Sequence, residues 1–176
     1  MGRFDVILGP VLPAPVVLRK LSIPLLVVGL AAPAWAQQPT LLALQLEGAG
    51  LPADTVKALD AALREELPSV AGKLKVLKRP ALDYAGLREA TGCADASNSC
   101  LQAIGRTVSA AQVVRATLEG TPEATQLKIV IVEVGVGKVR SYAADLVDVT
   151  PDSATELRHH VAVAFGAKRE LAPGTV

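Results

Sequence analysis

Apolar residues recur along this chain with two different periods, and the changes of period mark out its elements. Thr40 to Leu46 alternates weakly within an apolar run and reaches Gly48-Ala49-Gly50, a buried first strand followed by a turn. A helix is predicted next. Pro52 suits its first turn, Asp54 complements the positive end of its dipole, and Val56, Leu59, Leu63 and Leu67 recur at helical spacing. Lys57, Asp60, Arg64 and Glu65 fall on the outer side, and Pro68 marks the end. Lys73 to Leu77 alternates as a short strand that stops before Pro80, and Tyr84 to Thr91 reads as a short helix ended by Gly92. Ser97 to Ser99 is placed to cap a helix from Cys100 to Val108, with Leu101 and Ile104 inward and Gly105 permitting close approach.

From Gln112 the period becomes two. Val114, Ala116 and Leu118 share one face of a strand, while Arg115, Thr117 and Glu119 share a wet one. Leu127 to Val134 is apolar on both faces, as a central strand would be, and Gly135-Val136-Gly137 turns the chain into a further strand, Lys138 to Val149. Thr150, Pro151 and Asp152 form a helix start ahead of a stripe of Leu157, Val161, Ala164 and Phe165, ended by Gly166. The order implies an α/β fold: a mixed β-sheet of about five strands packed against helices, one domain over residues 37–166, with a flexible tail at 167–176.

The start of the chain reads differently. Arg19 and Lys20 precede an apolar run from Leu21 to Ala32, and Ala34-Trp35-Ala36 sets small residues around a cut before Gln37, the plan of an export signal. The apolar stretch from Leu21 to Ala34 carries Pro24 and Pro33 and is shorter than the ~20 residues a spanning helix needs, so no stable membrane anchor is expected after cleavage. No cysteine follows it to carry a lipid. Residues 1–16 lie ahead of this n-region, as an upstream start would leave them. The protein is therefore expected in the periplasm or secreted.

Overall charge changes little in this picture. The chain has 18 basic and 17 acidic residues, and removing Arg3, Arg19, Lys20 and Asp5 with the signal leaves a mature formal charge of −1. That balance gives no electrostatic case for nucleic acid, and Tyr84 and Tyr142 are too few for a base-stacking platform.

Cys93 and Cys100 would meet an oxidising compartment after export, where a structural disulfide is the leading reading, ahead of buried free thiols and of redox or metal chemistry. Their spacing is not that of C-x-x-C oxidoreductases. His159 and His160 are adjacent, so on a helix they point about 100° apart and do not chelate as an i, i+4 pair does. Asp145, Asp148 and Asp152 read as edge, turn and helix-start acids rather than a cation site or general base. Ser109, Ser141 and Ser153 lack the glycines of a nucleophile elbow, and Gly135 and Gly137 join strands instead of opening a phosphate-binding helix. No catalytic residue, metal or cofactor is expected.

Cys100-Leu101-Gln102-Ala103-Ile104-Gly105, Val113-Val114, Ile129 to Glu133, Gly137-Lys138-Val139 and Leu146-Val147-Asp148 together resemble the amino-terminal α/β domain of TolB and related CsgG-type domains. The resemblance spans roughly residues 40–166 and implies a stand-alone envelope domain that binds other proteins and performs no catalysis. With no β-propeller sequence after Val176, a complete TolB-like role is not expected. The reading is an exported, non-catalytic interaction module whose partners are envelope proteins, acting through its sheet edge or helix faces, with strand addition at an exposed edge as the physical mode and the solvent-facing Arg115 and Thr117 of the Gln112 strand as partner-binding residues. Binding of a small molecule or glycan, and less so hydrolysis, are the alternatives.

Overall fold

A computed structural model describes residues 38–167. The export segment, with its expected cut between Ala36 and Gln37, and the tail from residue 168 lie outside the described residues.

The opening leucine run folds as a broken strand. β1 (Thr40–Ala43) and β2 (Glu47–Ala49) both lie parallel to β4 (Gln112–Thr121), with Ala43 opposite Val114 and Glu47 opposite Thr117. The first chain thus takes one residue step more than β4 over this stretch, and an extra residue in a strand exchanges the faces of the side chains that follow. Leu41 and Ala43 enter one core, Leu42 and Leu44 the opposite one, and Leu46 rejoins the first. The expected turn at Gly48-Ala49 is strand instead. Gly48 is needed there because a Cβ would come within 2.3 Å of Val56 on the following helix.

That helix, α1 (Ala53–Val70), runs through Pro68 rather than stopping before it. A proline in the last turn forfeits only its own N–H, while buried Leu63 and Leu67 hold the turn down and Ala71 N still donates to Leu67 O at 2.8 Å. β3 (Lys75–Val76) follows. α2 (Tyr84–Ala90) is capped by Asp83, which accepts from Gly86 N at 2.8 Å. α3 (Asn98–Thr107) is capped by Ser97 and begins two residues before the expected Cys100. Gly105 lets α3 lie on the sheet, since a Cβ there would stand 2.4 Å from Val134 and 2.7 Å from Val113.

β5 (Ala124–Glu133) and β6 (Lys138–Leu146) complete an antiparallel meander with β4. Gly137, at φ +69°, closes their hairpin by donating to Glu133 O. β6 ends at Leu146, short of the expected Val149, because Asp148 takes a positive φ and Val149 N turns to Pro122 O at 2.7 Å. Thr150 caps a 3-10 turn, Pro151–Ser153, that leads into α4 (Ala154–Ala164).

The sheet order is β3-β1-β4-β5-β6, with β2 continuing β1 along β4. It has six strands, one more than expected, because the first strand is broken. α1 and α4 cover one face, over Leu41, Leu59, Leu63, Val114, Leu118, Ile129 and Val161. α2 and α3 cover part of the other, over Leu42, Leu44, Leu87, Leu101, Ile104 and Val113. Among the described residues no helix is long and apolar enough to cross a membrane.

Candidate functional site

The face under α2 and α3 changes character along its strands. Val113, Val132 and Val134 are buried beneath α3, Val130 and Val139 are half-buried, and then Gln126, Lys128, Ser141, Ala143, Asp145 and Glu119 stand exposed. The cross-strand register makes these one surface: Lys128 lies between Thr117 and Ala143, and Gln126 between Glu119 and Asp145. The result is a flat patch of alternating charge and small polar groups on rigid strands.

Arg115 and Thr117, the two residues read from the sequence as partner-binding, lie at the border of this patch. Arg115 is held from two sides: Nε donates to Glu47 Oε2 at 2.8 Å, and the guanidinium lies over the Tyr84 ring at 4.3 Å. It is fixed in position and its charge is largely met by Glu47. Thr117 is 9 % exposed, so its side chain offers little to a partner. Strand addition at the Gln112 strand is closed, because β4 pairs with β1 and β2 along one edge and β5 along the other. The sequence reading missed Lys128, Ser141 and Asp145 on the same face. Their signal lies in β5, where Gln126 and Lys128 give way to Val130 and Val132 as the cover begins.

Tyr84 is 3 % exposed, and among the described residues its buried hydroxyl has no hydrogen-bond partner. Burial pushes its pKa up, opposed by the charges of Arg115 and Arg88. The ring serves as the floor on which Arg115 rests.

Asp60 is the second polar centre, and it lies inside the fold although it was read from the sequence with the charged residues on the outer side of α1. It is 4 % exposed; Oδ1 accepts from Leu46 N at 2.9 Å, and Oδ2 accepts from Arg64 and Arg79 at 2.6 Å each. Arg79 also donates to Leu44 O at 3.0 Å. Leu44 and Leu46 flank the break between β1 and β2, so Asp60 and Arg79 take up backbone groups that the sheet ladder leaves over. Burial raises the Asp60 pKa, but the Arg79 hydrogen bond, the Leu46 amide and the charges of Arg79 and Arg64 outweigh it, and the net shift is downward. Two open clefts, of about 490 and 510 Å³, flank this cluster, one lined by Arg64, Lys78 and Arg79 and the other by Gln45, Lys57 and Asp60.

His160 packs against β6. Its Nδ1 lies 2.6 Å from the Tyr142 hydroxyl and its Nε2 3.9 Å from Glu156, while His159 meets it edge to face. Burial lowers the His160 pKa, partly offset by Glu156. Cys93 and Cys100 form a disulfide with Cα atoms 5.6 Å apart, joining the end of α2 to the first turn of α3. Asp145 is exposed on β6, Asp148 occupies the following turn and Asp152 the 3-10 turn. Among the described residues no group of three or more His, Cys, Asp or Glu side chains is placed to hold a metal ion.

No family model and no curated protein sequence matches this chain. Solved structures similar to it include the LpoB C-terminal domain from Salmonella enterica, with a TM-score of 0.44 at 20 % identity, covering 62 % of this chain and 82 % of that one. The PelC dodecamer from Paraburkholderia phytofirmans gives 0.45 at 15 % identity, over 78 % and 94 % of the two chains. TolB from Acinetobacter baumannii gives 0.46 at 12 % identity, over 73 % of this chain and 27 % of that one. These scores lie below 0.5 and assign no family.

Proposed function

We propose that the protein is an exported, non-catalytic interaction module that joins a cell-envelope assembly through the uncovered half of its sheet. The single observation that carries this reading is the row of exposed side chains on β4, β5 and β6, with Lys128 at its centre and Arg115 fixed at its border. Ordered strands hold those groups at set spacing, so a partner meets them without the entropy cost of arranging them. Export rests on the signal-like segment from Arg19 to Ala36, which would deliver the domain to where envelope partners are. The patch carries Lys128 against Glu119 and Asp145, and suits a protein surface of mixed charge better than a uniformly charged polymer.

The test is affinity capture of envelope proteins by the exported protein in cells. Lys128→Glu and Arg115→Glu are expected to lose the specific partners that the parent chain captures, with thermal unfolding changed little by Lys128→Glu, whose side chain is exposed. Full capture by the Lys128 variant would remove this surface from the reading.

A further inference from the structure

The two margins of the sheet differ. β3 is two residues long and stands among exposed Lys73, Lys75 and Lys78, a pattern by which natural sheet edges resist further pairing. β6 is nine residues long and, among the described residues, pairs only with β5. Its central residues, Ser141 to Ala144, carry no charge, and Ser141 and Ala143 are exposed. A long edge without lysines, bulge or proline at its centre is a template for another strand.

We propose that β6 pairs antiparallel with β6 of a second copy, extending the sheet across a two-fold axis. A two-fold axis normal to a sheet sets opposite one another only residues that point to the same face, so the two residue numbers must have the same parity. In β6, Arg140 and Tyr142 point to the α4 side, opposite Ile131 and Ile129, while Ser141 and Ala143 point to the open face, opposite Val130 and Lys128. Centring the axis on Ser141 satisfies the parity rule. Ser141 then faces the partner's Ser141, Val139 faces the partner's Ala143, and Arg140 faces the partner's Tyr142, each unlike pair occurring twice.

This register gives Arg140 a use. Among the described residues its buried Nε has no hydrogen-bond partner, and a tyrosine ring across the strand pair is a surface on which a guanidinium gains. The small side chains of Ser141 and Ala143 leave the two backbones free to close to ladder distance on the open face. Asp145, on the open face, stands opposite the partner's Gly137, and Lys138, on the α4 side, opposite the partner's Ala144, so no like charges meet across the pair. Among the described residues each copy offers one long free edge, and the contact is isologous, so association stops at two.

Sedimentation equilibrium on the purified protein, as the cell processes it, tests this across the micromolar range. A concentration-dependent dimer is expected. Ser141→Lys sets two like charges against each other across the axis and is expected to weaken the dimer at least tenfold. Mixing Ser141→Lys with Ser141→Glu is expected to restore it, which also shows that both variants fold. A monomer at every concentration would overturn the proposal, as would a dimer that Ser141→Lys leaves intact. The purified protein alone is used, so this result is independent of whether the sheet face captures an envelope partner.

Discussion

Asp60 shows how one buried carboxylate follows from one irregularity of backbone. The break between β1 and β2 leaves the Leu46 amide and the Leu44 carbonyl to be satisfied, and Asp60 and Arg79 do so. Asp60→Ala would leave that amide without its acceptor and the largely buried Arg79 without its carboxylate partner, and a loss of about 3 kcal/mol is expected in urea unfolding at neutral pH. The pKa of Asp60 is depressed in the folded state, so its contribution is present above the unfolded value of 3.8 and is lost as pH falls through the folded one. The parent chain should therefore lose stability below about pH 4 more steeply than Asp60→Asn. His160 acts in a separate window. Its folded pKa lies below 6.5, so the neutral ring is the one the fold favours, and its contribution is full above that value and declines as pH falls toward the folded pKa. Melting temperatures should decline from pH about 7 to about 5, and His160→Gln should flatten that decline. At this scale Asp60 was read by its charge as an outer residue, although it stands four residues after Val56 and three before Leu63, on the flank of the apolar stripe, and the sequence gave no sign of a strand break that needs a carboxylate.

Among the elements, periodicity was legible where a segment has one environment throughout. The stripe of α1, the start of α4 at Thr150 and Pro151, and the hairpin at Gly135 to Gly137 all stand near where spacing and turn chemistry put them. The broken first strand was not legible, since Leu41 to Leu46 is apolar whether or not one residue is bulged out. Pro68 misled for a related reason: packing of Leu63 and Leu67 outweighs the one hydrogen bond that a proline removes in a last turn. The disulfide ties together the two short helices that cover part of the sheet. Replacing Cys93 and Cys100 together by serine is expected to cost about 2–3 kcal/mol, measured by denaturant unfolding, and reducing agent should produce a similar loss in the parent chain. A parent chain as stable reduced as oxidised would show that α2 and α3 are held by Leu87, Leu101 and Ile104 alone.

For the whole molecule, a mixed sheet between helices was legible from the order of elements, because period-two segments from Gln112 onward must pair and the amphipathic helices must cover them. How far the cover reaches is a tertiary matter. α2 and α3 are short, and the strands beneath them run on past their ends into Lys128, Ser141 and Asp145. Arg115 was visible as a residue on a wet face, whereas its fixing by Glu47 and Tyr84 joins segments far apart in sequence. The central claim, that this open half-face is where the exported protein meets its partner, is tested most directly by a photoactivatable cross-linking residue at position 128, with the same residue at exposed position 57 on α1 as the control. Specific envelope proteins joined to position 128 and not to position 57 are the predicted result. Equal cross-linking at both positions, or specific cross-links from position 57 alone, would contradict it.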